Sequence, residues 1–176
     1  MMNRKVLIIA ASLALAGCAT AGSEPVSGTI EVTGDDYSFA GVPDVVASGA
    51  ELTFTNASDV EAHEMVLMKV ADLETRTIEE LLELPEEESN SLVEFQGVLV
   101  ALPGEDGANP EAAGSSITVT APGRYVLVCF IPQGADPAIL AEAMQGGEAA
   151  EGPPALGDGT PHAFLGMVEE FQVEEA

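Results

Sequence analysis

The chain has little positive charge, little cysteine and little histidine. Its 5 Lys and Arg face 30 Asp and Glu, for a formal net charge of −25 at pH 7. A surface so short of cations excludes nucleic acid as a partner and excludes electrostatic attraction to anionic lipid. With only 2 cysteines there is no disulfide framework to build. The 2 histidines are His63 and His162. His63-Glu64 has no second histidine one helical turn on, so the paired-histidine helix of metalloproteases is absent. The glycine-rich stretch near residue 146 lacks the lysine and the strand-to-helix setting of a phosphate loop. Beyond the N-terminus no apolar run is long enough for a transmembrane helix.

The N-terminus reads as a targeting segment. Asn3-Arg4-Lys5 is a charged start, and Val6–Ala16 is an apolar run too short to span a bilayer. Leu15-Ala16-Gly17-Cys18 resembles the bacterial lipobox. The resemblance implies a cleaved signal over 1–17, lipidation of Cys18, and export to the periplasm or cell surface. Acyl chains would hold the protein on a membrane without spanning it. Ala19 lacks the aspartate that can mark inner-membrane retention, which points to the outer membrane in a two-membrane cell. Residues 18–28 are small, polar and Pro/Gly-bearing, and read as a flexible tether. Residues 29–176 are the size of one domain. Cleavage leaves Lys69, Arg76 and Arg124 against all the acids. That charge suits either steering toward a basic partner or a solvated acidic surface. The acids are spread along the whole chain, which favours the second.

From Thr29 the pattern is all-β. Short β-prone runs at Thr29–Thr33, Asp36–Ala40, Pro43–Ala47, Ala50–Asn56, Ala62–Val70, Val93–Leu102, Ser116–Thr120, Arg124–Ile131 and Phe164–Val173 are separated by turn signals. They predict an antiparallel sandwich. Arg124–Ile131 is apolar on both faces and predicts a central strand. Two insertions interrupt the strands. The first, about 71–91, holds an amphipathic helix over Thr77–Leu84 with a Thr77…Glu80 capping box, ended by Pro85 and followed by an acidic loop. The second, about 132–161, holds a helical stretch over Asp136–Gln145, with Asp136 as N-cap and Pro137 at the first helical position.

Once Cys18 carries lipid, Cys129 is a lone thiol in an oxidising compartment, where burial or a metal must protect it. Taken singly, Cys129 reads as a buried thiol, His63 as a core histidine, His162 as surface and Met167 as core. Together they are a thiolate, two imidazoles and a weak thioether, the donor set of a blue-copper electron-transfer site. A Cys129–His162 nucleophile–base pair lacks an acid to orient it, so the chain reads as a non-enzyme.

The order His63 … Cys129 … His162-x4-Met167 resembles the cupredoxins, the plastocyanin, azurin and halocyanin group. Phe54-Thr55-Asn56 leading to His63, and Pro122-Gly123-x-Tyr125 leading to the cysteine, support the match. The resemblance covers Thr29 to the C-terminus. It implies a Greek-key two-sheet sandwich with one type 1 copper at one end. His63, Cys129 and His162 would be its strong ligands and Met167 its weak axial one. It further implies a monomer that carries single electrons between redox proteins outside the cytoplasm. A copper chaperone or storage lipoprotein, or a metal-free interaction module, are the alternatives on the same scaffold. Two features depart from the family. Between Cys129 and His162 lie 32 residues, so the stems Cys129–Pro132 and Thr160–His162 must meet again. Family members also often have Asn after the first histidine, bracing the cysteine loop, where this chain has Glu64.

Overall fold

A computed structural model describes residues 23–110, 114–145 and 156–176. The signal segment, Cys18 and the middle of the second insertion (146–155) lie outside the described residues. Among those described, β1 (Thr29–Asp35), β2 (Ser38–Ala40), β4 (Glu51–Asn56) and β7 (Ser116–Thr118) form one sheet in the order β2-β1-β4-β7. The second sheet contains β3 (Val45–Ala47), β5 (His63–Val70), β6 (Val93–Ala101), β8 (Gly123–Val128) and β9 (Val168–Glu174), in the order β3-β9-β8-β5-β6. No described helix is long and apolar enough to cross a membrane.

The sandwich is mixed rather than antiparallel throughout. β1 lies parallel to β4, and β3 parallel to β9. Alternation along a strand specifies which face is buried, not which way a neighbour runs. Other boundaries shift as well. Asp36 and Tyr37 are not strand but the two-residue turn between β1 and β2, both with positive φ (36° and 68°), as tight hairpins require. Val26, expected in the tether, forms a parallel bridge with Val46. The acidic run after Pro85 is a helical turn, Glu86–Asn90 (α2), and not a loop. The last strand begins at Val168, because His162–Leu165 is a 3-10 turn.

The core lies between the sheets. Ile30, Val32, Leu52 and Phe54 face Met65, Leu67, Leu99, Tyr125, Leu127 and Phe171, all buried. Each such aliphatic side chain contributes about 1.5–3 kcal/mol on burial. β8 sits between β9 and β5. Its second apolar face is used too: Val126 and Val128 pack with Ile78 and Leu81 of α1 (Ile78–Leu82) on the outside of the sheet. That explains a strand apolar on both sides. The Thr77 capping box forms as expected, with Glu80 N donating to Thr77 Oγ1 and Thr77 N to Glu80 Oε2. In the second insertion α3 (Pro137–Met144) starts at the Asp136 cap. It buries Leu140 against the core.

Candidate metal centre

Three chain segments meet at one end of the sandwich. The first is the β4–β5 connection. Asn56 is buried at the end of β4, and its amide donates to the carbonyls of Glu61 (2.8 Å) and Ala101 (3.2 Å). Its Oδ1 accepts the Ser58 N–H (2.9 Å). Ser58 Oγ in turn accepts from Val60 and Glu61. A buried Asn with its bonds made fixes the loop, and so the start of β5 at His63.

The second segment is the chain leaving β8. Cys129 is the first residue after β8, and its N–H donates to the Met167 carbonyl (3.3 Å). Glu64 N donates to Cys129 Sγ at 3.4 Å. Glu64 Oε1 accepts the Phe130 N–H at 2.9 Å. The glutamate thus braces the cysteine loop from the β5 side. Burial pushes its carboxyl above the usual range, opposed by the Phe130 N–H.

The third segment returns from the long insertion, and its two stems meet. Pro132 bridges Pro161, Gln133 N donates to Thr160 O (2.9 Å), His162 N to Ile131 O (3.0 Å) and Ala163 N to Cys129 O (2.7 Å). The 3-10 turn then carries His162 toward Met167, whose N–H returns to the His162 carbonyl (3.0 Å). Gly166 closes that turn with φ 110°, a left-handed conformation a side chain would resist.

The result brings three of the four expected donors together. His63 Nδ1 lies 3.1 Å from His162 Nδ1, and Cys129 Sγ lies 3.4 Å from His162 Nδ1. The donor atoms of the three residues all fall within 4.8 Å of one another, and all three residues are buried. Met167 is also fully buried and is tied by its backbone to both Cys129 and His162. Its methyl end lies in the core beside Phe54 and Gly34 of β1.

The electrostatics fit a cation. Burial pushes the Cys129 thiol up from 9.0 to about 12, with the Glu64 N–H pulling the other way. Burial, then His162, lowers His63 to about 4, against Glu61 and Asp36, which raise it. Burial also lowers His162, against Glu61. At neutral pH the site therefore holds a thiol and two uncharged rings whose Nδ1 atoms and sulfur converge. The Nε2 atoms of both histidines are buried without a hydrogen-bond partner. Soft sulfur with two imidazoles suits copper or zinc. This group could hold one such ion.

Sequence reading missed Tyr37 and Glu61. Tyr37 sets its ring edge-on to His162 at 4.8 Å. Glu61 Oε2 stands 3.8 Å from His162 Nε2. Neither shows in periodicity, and Tyr37 reads in the sequence as part of the β-prone run Asp36–Ala40.

No protein-family model matches the chain, and no curated protein does. Solved structures similar to it include the dithionite-reduced auracyanin of the photosynthetic bacterium Roseiflexus castenholzii, at 19% identity over 86% of this chain and 99% of that one, with a TM-score of 0.44. Another is auracyanin A, a blue copper protein of the green thermophilic photosynthetic bacterium Chloroflexus aurantiacus, at 19% identity over 86% of this chain and 100% of that one, with a TM-score of 0.42. Likeness of that extent leaves the role of this chain to its own residues.

Proposed function

We propose that this protein is a lipid-anchored type 1 copper carrier of the cupredoxin kind, passing single electrons between redox proteins outside the cytoplasm. The observation that carries the reading is the convergence of two imidazole Nδ1 atoms and one thiol, all from buried residues. His63, Cys129 and His162 would hold the ion, and Met167 would sit as the weak axial donor. Copper held there supplies a one-electron couple, with sulfur favouring Cu(I) and imidazole serving both states. The chain's own contribution is to fix the donors. Cys129 and His162 hang from stems bonded to each other, and His63 starts a strand paired on both sides. Donors held this firmly need little rearrangement when the charge changes. Full burial of all three also favours retaining an ion over handing it on, which separates this reading from a chaperone.

No bond-making chemistry is assigned. Phe130 follows Cys129 and Phe164 follows His162 by two; both are exposed (39% and 55%). They give a redox partner apolar contact next to the centre. Among the described residues each cation is already paired, Lys69 with Asp72, Arg76 with Glu74 and Glu88, and Arg124 with Glu170. The unbalanced acids would favour a basic partner and make encounter rates fall with salt. The proposed limits are a signal over 1–17, lipid on Cys18 and a tether that ends before Val26, which is already bridged to Val46, with the folded domain after it.

Adding Cu(II) to the full-length protein in detergent tests the proposal. An intense visible charge-transfer band and a copper paramagnetic signal are expected, with the band absent in Cys129→Ser. A colourless wild type overturns the reading.

A further inference from the structure

The proposed ligand role of His162 leaves its second nitrogen over. Its Nδ1 faces His63 and Cys129. Its Nε2 is buried and has no hydrogen-bond partner. A ring that gives Nδ1 to a cation must carry its proton on Nε2, and a buried N–H needs an acceptor. The atom standing beside it is Glu61 Oε2, at 3.8 Å, about 0.9 Å longer than a usual N–H···O bond.

That carboxylate is held from several sides. Tyr37 Oη donates to Glu61 Oε1 at 3.3 Å, and Gly134 N donates to both oxygens at 3.2 Å. Gln133 Nε2 donates to Tyr37 Oη at 2.8 Å. Asn56 and Ser58 hold the Glu61 backbone. Tyr37 is itself kept at φ 68°, a conformation costly for a bulky side chain. In that position its ring meets the His162 ring and its hydroxyl meets Glu61.

We infer that Glu61 is a positioning residue of this centre, whose carboxylate accepts the Nε2–H of His162 and is held for that purpose by Tyr37 and Gly134. Outer carboxylates of this kind fix the tautomer of a ligating histidine and make the ring a stronger donor. The inference rests on the copper reading above. It goes further by giving the centre a source of tuning outside the four expected ligands. A negative charge against His162 favours the more highly charged oxidised ion, so it lowers the reduction potential.

The test is redox titration of the copper-loaded, full-length protein beside Glu61→Gln, Glu61→Ala and Tyr37→Phe. Gln keeps an oxygen for the Gly134 N–H and removes only the charge. Glu61→Gln should favour Cu(I) over Cu(II) about tenfold more than wild type, a rise of about 59 mV for a one-electron couple. Glu61→Ala should rise at least as far, and Tyr37→Phe less far in the same direction. A Glu61 that merely supports the loop would leave the Gln variant at the wild-type potential, and that result overturns the inference. Should the Glu61 variants not fold, Tyr37→Phe decides: a rise supports the inference and an unchanged potential overturns it. A wild type that takes up no copper ends this inference together with the reading beneath it.

Discussion

Raising the pH from 6 to 8 should tighten binding of Zn(II) to the centre about a hundredfold. Burial lifts the Cys129 thiol from 9.0 to about 12. Ionising it is about 4 kcal/mol harder than ionising a free thiol, at about 1.36 kcal/mol per pKa unit. At pH 7 it is protonated in the metal-free protein, and forming the thiolate costs about 7 kcal/mol, which the incoming cation must offset. His63 releases its proton near pH 4, and burial lowers His162 as well, so the thiol is the main proton source in the window. Each bound ion therefore expels about one proton, and the binding constant gains about a factor of ten per pH unit. Zinc is the better probe here because it has no redox chemistry with the thiol. Competition against a chelator at each pH gives the slope, and calorimetry in buffers of different ionisation enthalpy counts the proton. Cys129→Ser should lose both the slope and the proton. An affinity flat between pH 6 and 8 in the wild type would refute the reasoning, because sulfur would then either be no ligand or be ionised beforehand.

Two further outcomes follow from other parts of the molecule. His63 is neutral in the fold down to about pH 4 but takes a proton near 6.5 when unfolded. The unfolded chain thus binds more protons between those values, so stability falls as pH drops from 6.5 to 4, by about 3 kcal/mol from this ring. Glu64, raised by burial, works in the opposite sense because the folded chain keeps its proton longer. Urea unfolding of the metal-free protein should show a flatter pH curve for His63→Leu, and parallel curves would exclude the assignment. Gly34→Ala would put a methyl 2.8 Å from Phe54 Cζ and 2.9 Å from Met167 Cε. Overpacking there should cost about 1–3 kcal/mol and shift the visible spectrum of the copper-loaded protein by moving Met167; neither effect appearing would refute the packing described.

Much of the sandwich was legible because period-2 alternation survives in strands half in a core, as in β1 and β4. β8 was legible for the opposite reason, an apolar run on both faces. The capping box at Thr77 and the Asp136-Pro137 helix start were readable because each depends on neighbours in sequence. Strand direction was not, since β1 and β4 are brought parallel by connections that leave no local mark. The helical turn at Glu86–Asn90 was hidden because it buries no residue, so no apolar position marks it. At the centre, the family order of residues indicated His63, Cys129 and His162, and the geometry brings them together. Glu61 and Tyr37 were invisible because their importance comes from a surface turn and a loop folding onto one ring. The brace supplied by Glu64 depends on side-chain reach, not residue type, so its identity alone misled.

The clasp between Pro132 and Pro161 has a consequence for how this protein can vary. Because the two ends are fastened next to Cys129 and His162, the distance between sulfur and ring is insulated from the length of whatever is spliced between them. Lineages could lengthen or rewrite the middle of that span without detuning the donors, provided that Ala135 and Leu140 still plug the core. The same fastening lets an engineer graft a new recognition peptide after Leu140, provided that Gln133 and Gly134 keep their bonds to Tyr37 and Glu61.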